Sequence, residues 1–244
     1  MSKSASFLFY GALNDFLLPA KRNTWIAYPF NDTPSIKHAI ETIGIPHPEV
    51  SALSVNGMAV DFSYPLQNND KVEVYPAGTT VNSLLTSGTF QDKFILDVHL
   101  GKLAKALRLF GFDTRYENDY DDKKIIEIAE AEQRIILTRD VSLLKHKAVT
   151  MGCWIRSQHA EEQLQEVIKR YDLETKFKPF ERCVECNGKI ISVSKESVFD
   201  KLLPKTKLYY NDFFQCSNCK RIYWRGSHYE HMEGFIERIE SSGN

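Results

Sequence analysis

KFILDVHLGKLAKALRLFGFDTRYENDYDDKKIIEIAEAEQRIILTRD, residues 93–140, alternates short apolar runs with amphipathic stretches. KFILDV reads as a buried strand, and LGKLAKALRLFG as a helix with Leu100, Leu103, Ala104 and Leu107 on one stripe and Gly111 at its end. FDTRYE reads as a second strand. Asp121 and Asp122 open the helix KKIIEIAEAEQ, where carboxylates suit the positive end of the helix dipole. RIILTRD gives a third strand and VSLLKHKAV a short helix; MGCWIRS gives a fourth strand and AEEQLQEVIKRYDL a closing helix. Alternating strands and helices joined by short links predict a parallel sheet with flanking helices over 93–178.

Working outward, residues 6–76 predict a small β-rich domain. FLFYGAL and IAYPF read as strands, Pro29 favouring an edge position for the second. Asp32-Thr33-Pro34-Ser35 signals a helix start, IKHAIETI carries a helical apolar stripe, and Gly44 follows it. LSVNGMAV gives two strands about an Asn56-Gly57 turn, and KVEVYP alternates, with Val72 and Val74 on one face. This order resembles the ubiquitin-like β-grasp fold, assigned to 1–78. VNGMAVDFSYPLQNNDKVEVYP is similar to the back half of sulfur-carrier proteins of that fold. Those proteins work through a free C-terminal Gly-Gly, whereas YPAGTT here is interior with one glycine, which argues for partner docking rather than sulfur transfer. Residues 79–92, small and polar for the most part, read as a linker.

Residues 179–244 hold Cys183-x2-Cys186, twenty-nine intervening residues, and Cys216-x2-Cys219. Each C-x-x-C turn presents two thiolates, and two such turns complete a tetrahedron suited to structural zinc, as in a zinc ribbon. Lone Cys153 has no such pairing. Arg221, Trp224, Arg225 and His228 around the second pair are candidates for RNA contact, since cations bind phosphate and aromatics stack on bases. The competing explanation for the aromatics is that a small ribbon needs them as its core.

Asp97 ends the first strand of the α/β segment and Asp140 follows the third, the positions where open parallel sheets place ligands. Asp121 and Asp122 lie between the second strand and its helix. Carboxylates gathered there require a cation, and hard oxygen donors select Mg²⁺ or Mn²⁺. Each of these aspartates can equally be a helix N-cap, and spacing alone leaves a phosphatase or receiver-type acidic pocket open. Net charge is −1, with sixteen basic and sixteen acidic residues in 91–180, so any RNA surface must arise by local clustering. No apolar run approaches the roughly 18–20 residues that span a bilayer, and the N-terminus lacks a signal peptide's apolar core, so a cytoplasmic location and no membrane are expected.

DVHLGKLAKALRLFGFDTRYENDYDD…AEAEQRIILTRD, then C-x-x-C-N-G, then C-x-x-C-K-R-I-Y-W-R-G-S-H, resembles the Mut-seven C-terminal RNase family over roughly 93–232. That family is a PIN-like nuclease domain with an attached zinc ribbon, and a ubiquitin-like domain also occurs in front of it. The resemblance implies an RNA-cleaving enzyme that uses Mg or Mn. Asp97 and Asp140 would be ligands and Asp121 or Asp122 a third. Lys102, Lys105, Arg108 and Arg139 would contact RNA, with tRNA or another structured RNA as substrate. The alternative is a non-catalytic RNA-binding or adaptor protein with a vestigial acidic site.

Overall fold

The structure is a computed structural model and describes residues 3–76, 92–226 and 234, so all of the expected linker but Asp92 lies outside the described residues. In chain order the strands are β1 Lys3–Phe9, β2 Ile26–Phe30, β3 Val50–Val55, β4 Met58–Val60, β5 Lys71–Pro76, β6 Lys93–Leu96, β7 Asp113–Arg115, β8 Ile135–Thr138, β9 Gly152–Trp154, β10 Ile190–Val193, β11 Phe213–Cys216 and β12 Ile222–Trp224. The helices are α1 Ile36–Ile43, α2 Gly101–Leu109, α3 Asp122–Glu132, α4 Val141–Leu144, α5 Ala160–Tyr171, α6 Lys195–Val198 and α7 Pro204–Tyr209. The chain divides into two compact units, Met1–Gln91 with Asp122–Trp154, and Asp92–Asp121 with Ile155–Asn244.

In the first unit a five-stranded sheet has the order β2-β1-β5-β3-β4. β1 and β5 run parallel at its centre, and the other pairings are antiparallel. This is the β-grasp arrangement expected from the sequence. Period-2 alternation puts Phe7, Phe9, Val72 and Val74 on the covered face, all essentially buried with Ile36, Ala39 and Ile40 of α1. The Ser35 hydroxyl caps α1 by accepting the His38 N–H at 3.3 Å, and Gly44 ends it at φ 130°, which a side chain disfavours. Pro29 lies on β2, an edge strand where its missing N–H costs no ladder bond.

The same unit contains the parallel pair β8–β9, with Leu137 opposite Cys153 and Thr138 opposite Trp154. A Cβ on Gly152 would come within 2.5 Å of the Leu144 side chain, so α4 sits close against the strand there. The β-grasp part reaches β9 directly. Glu49, in the turn before β3, is fully buried, and its carboxylate accepts the Trp154 backbone N–H at 2.6 Å. The Phe16 and Trp154 rings meet at 5.0 Å between centroids.

The second unit contains the parallel pair β6–β7 with α2 and α5 packed together. Leu103, Ala104 and Leu107 of α2 and Leu164, Val167 and Ile168 of α5 are buried, as 3.6-residue periodicity dictates. Phe94 meets Phe112 and Tyr171 edge-on at about 6 Å. The cysteine-bearing segment forms the antiparallel sheet β10-β11-β12. The long gap between the two cysteine pairs holds α6 and α7, for which the sequence offered no reading. Val198, Leu202 and Phe213 form the small core there, with Tyr210, Ile222 and Trp224 partly buried against it. Among the described residues no helix is long and apolar enough to cross a membrane.

Replacing Glu49 by Ala removes the fully buried acceptor of the Trp154 N–H. The expected outcome is a loss of about 1–3 kcal/mol in folding stability, the cost of a donor left without its acceptor. Urea denaturation of both proteins checks it; an unchanged midpoint would show that the contact contributes nothing.

Candidate functional site

Cys183, Cys186, Cys216 and Cys219 bring their sulfurs within 4.8 Å of one another. Cys183 and Cys219 lie 3.5 Å apart, as do Cys186 and Cys216. A tetrahedral zinc with bonds of about 2.3 Å has sulfur–sulfur edges of about 3.8 Å, so the four side chains fit that ion closely. Both pairs sit on tight turns whose backbone is committed to holding them. The Cys183 N–H donates to the Gly188 carbonyl at 2.8 Å and the Asn187 N–H to the Cys183 carbonyl at 2.9 Å. The Asn218 N–H points to the Cys216 sulfur at 3.4 Å. Gly188 is required by closeness, because a Cβ there would stand 2.9 Å from the Cys216 sulfur.

As bare thiols Cys186, Cys216 and Cys219 compete for ionisation. Burial works against the Cys186 thiolate, yet the Gly188 N–H and the neighbouring thiols hold its pKa down at about 6. Burial pushes Cys219 up to about 12 and raises Cys216 as well. The Tyr223 hydroxyl lies 3.0 Å from the Cys183 sulfur; burial first, and then this contact, raises its pKa. A dication among the sulfurs removes the competition by stabilising all four thiolates.

Arg108 joins the first knuckle to the helix before it. The guanidinium is buried and donates to the carbonyls of Thr114 at 2.9 Å, Val184 at 3.2 Å, Glu185 at 2.8 Å and Tyr116 at 3.3 Å. This corrects the expectation that Arg108 holds RNA phosphate: its donors are spent on backbone carbonyls, and a phosphate cannot reach them. Asn187 works beside it. Its amide oxygen accepts the Thr114 N–H at 3.0 Å and its amide nitrogen donates to Asp113 at 2.7 Å. Arg182 pairs with Asp113 at 3.1 Å. Sequence reasoning missed Asn187; the available signal was an Asn placed directly after C-x-x-C, where φ of 62° favours Asn among non-glycine residues.

The strand-end aspartates occupy the expected positions. Asp97 follows β6, is 6% exposed, and accepts the His99 N–H at 2.9 Å. Asp140 follows β8, is exposed, and accepts both the Ser142 N–H and its hydroxyl on Oδ1 at 2.7 Å. Both therefore cap the helical turns that follow them. Asp122 begins α3, and Asp121 is exposed just before it. Lys102 and Arg139 are exposed, and Lys105 pairs with Glu185 at 3.1 Å. The Arg139 carbonyl accepts the Trp154 indole N–H at 3.2 Å. Arg221 and Arg225 are exposed and Trp224 is partly buried, whereas His228 lies outside the described residues.

A β-grasp sheet, parallel α/β pairs ending in aspartates, and a three-stranded segment with four clustered thiols that could hold a metal ion define a modular α/β protein with a ubiquitin-like front domain. Residues 92–236 match the family described as the Mut7-C RNAse domain, and residues 2–82 match the Mut7-C ubiquitin domain. The chain belongs to the Mut7-C RNAse domain family, which gives it a ribonuclease-related function. No curated protein matches the chain.

Cys216→Ser breaks the thiolate set, and bound zinc should fall from one equivalent to near none, with residues 180–226 becoming protease-sensitive. Metal analysis of purified protein checks the first part; a wild type carrying no zinc or iron would refute the site. Arg108→Met should likewise loosen the first knuckle, because four carbonyls lose a donor while the helix face stays apolar. Limited proteolysis of the zinc-loaded protein reads that loss, and a wild-type digestion pattern would count against it.

Proposed function

We propose that this chain is a metal-dependent ribonuclease in which a PIN-like domain at 93–178 hydrolyses RNA phosphodiester bonds. The zinc ribbon at 179–244 aids RNA binding, and the β-grasp domain at 1–78, joined through 79–92, docks a protein partner. Structured RNA, tRNA included, is the proposed substrate, and the cytoplasm the proposed location. The observation that carries this reading is the placing of a buried and an exposed aspartate, Asp97 and Asp140, at the C-terminal ends of strands in a chain of the Mut7-C RNAse domain family.

Asp97 and Asp140, with Asp121 or Asp122, would hold Mg²⁺ or Mn²⁺, since carboxylate oxygens are the hard donors these ions prefer. When bound, such an ion acidifies water and stabilises charge on the scissile phosphate. The chain's own contribution is preorganisation. The His99 N–H fixes the Asp97 carboxylate, and Ser142 fixes that of Asp140 through two donors on one oxygen. Neither side chain has to be ordered at the moment of reaction.

A non-catalytic RNA-binding adaptor is the second reading, favoured by the capping bonds themselves, which give both aspartates a structural duty. Asparagine separates the two. It caps a helix nearly as well as Asp but lacks the charge that holds a cation. Asp97→Asn and Asp140→Asn should each lower cleavage of a labelled RNA by on the order of a hundredfold or more, with little change in melting temperature. Cleavage that persists in EDTA, or an Asp140→Asn variant working at the wild-type rate, would take these residues out of the mechanism.

A further inference from the structure

Between α2 and the ribbon lies a cavity of about 470 Å³. One wall is the apolar flank of α2, at Ala106 and Leu109; the facing wall carries Phe180 and Trp224, and Lys105, Arg182 and Arg221 stand around them with Glu185 as the one carboxylate among the described residues of the lining. An apolar slot with aromatic faces and an excess of cations matches a ligand that is flat and aromatic at one end and anionic at the other. Arg221 is exposed on the turn into β12, and Arg182 Nε has no acceptor among the described residues. Phe180 adopts φ of 62°, a left-handed conformation that is strained for a bulky residue. That geometry holds its ring on Phe214, stacked at 4.8 Å, and on the cavity wall. The Trp224 indole lies against Gly226, where an added Cβ would come within 2.9 Å of its nitrogen.

We propose that this groove binds one unpaired nucleotide of an RNA chain, the base stacking on Trp224 and Phe180 and the adjoining phosphates resting on Arg221 and Lys105. The proposal rests on the ribonuclease reading for the choice of RNA, and it narrows the ribbon's general role to recognition of single-stranded segments. A paired base keeps its faces stacked inside the helix, so a duplex cannot enter the slot, whereas a loop or an end can splay a base into it. Lys105 exchanges its Glu185 partner for phosphate at small cost, because that ion pair is exposed.

The test uses the zinc-loaded full chain in EDTA-free buffer without Mg²⁺ or Mn²⁺, so that binding is read apart from cleavage. Fluorescence anisotropy of a labelled eight-nucleotide single strand is measured with a blunt RNA duplex as competitor. Trp224→Leu should weaken binding by about tenfold or more, the range found when one base loses its aromatic platform, and Trp224→Phe should restore most of it. Arg221→Gln should lower the salt slope by roughly one counterion. Ala106→Trp, which fills the slot from α2 and leaves the ribbon sequence untouched, should weaken binding as Trp224→Leu does, with zinc content at one equivalent. Wild-type affinity in Ala106→Trp, no binding of the single strand by wild type, equal competition by duplex, or occupation by a peptide instead would each overturn the proposal. Single-strand binding that depends on the groove without cleavage in Mn²⁺ would leave the groove standing and remove the nuclease reading. Cleavage with groove variants binding normally would do the reverse.

Discussion

A guanidinium buried to 3% exposure must find acceptors for its donors, and Arg108 finds them in four backbone carbonyls on β7, just beyond it, and in the first cysteine turn. Burial lowers its pKa, and Glu117 and the neighbouring cysteines oppose that change. The turn that presents Cys183 and Cys186 is thereby attached to α2 before any metal is considered. Asn187 and Arg182 extend the attachment to Asp113 and Thr114. A ribbon of three short strands has little apolar core of its own, so its stability depends on this polar joint and on the thiol site.

The same joint shapes the groove. The helix that sends Arg108 inward turns Ala106 and Leu109 toward the ribbon, and the knuckle it holds carries Glu185 on the opposite wall. A cation sequestered in structure thus creates a slot whose rim cations, Lys105 and Arg221, remain within reach of solvent. In the other unit Glu49 plays a comparable part. A fully buried carboxylate ties the β-grasp sheet to Trp154, whose indole in turn holds the carbonyl of Arg139, next to Asp140. The β-grasp sheet is in this way physically continuous with a proposed ligand-bearing loop.

Helix caps explain why the aspartates are ambiguous from sequence. An Asp at a strand end followed by a helix satisfies the first orphan N–H groups whatever else it does. Asp97 and Asp140 both serve in this way, and at Asp140 both Ser142 donors fall on one carboxylate oxygen. Structural and catalytic duty are therefore compatible at one residue, and only a change that keeps the cap while removing charge distinguishes them.

Much of the fold was legible without coordinates because it is set by local rules. The Asn56-Gly57 turn, the Ser35 cap, Pro29 at a sheet edge, the α2 stripe and the two C-x-x-C turns all depend on neighbours a few residues apart. α6 and α7 were not legible, being short and without a sustained periodic pattern. Arg108 shows where local reading ends. On a helical wheel it belongs with Lys105 on a basic face, yet the carbonyls that bury it come from up to 77 residues along the chain. Glu49 and Trp154, 105 residues apart, pose the same problem. Sequence determined which turns and stripes could form. Tertiary structure decided which charges were buried, because a buried charge is tolerated only where distant backbone happens to supply its partners, and no local pattern encodes that.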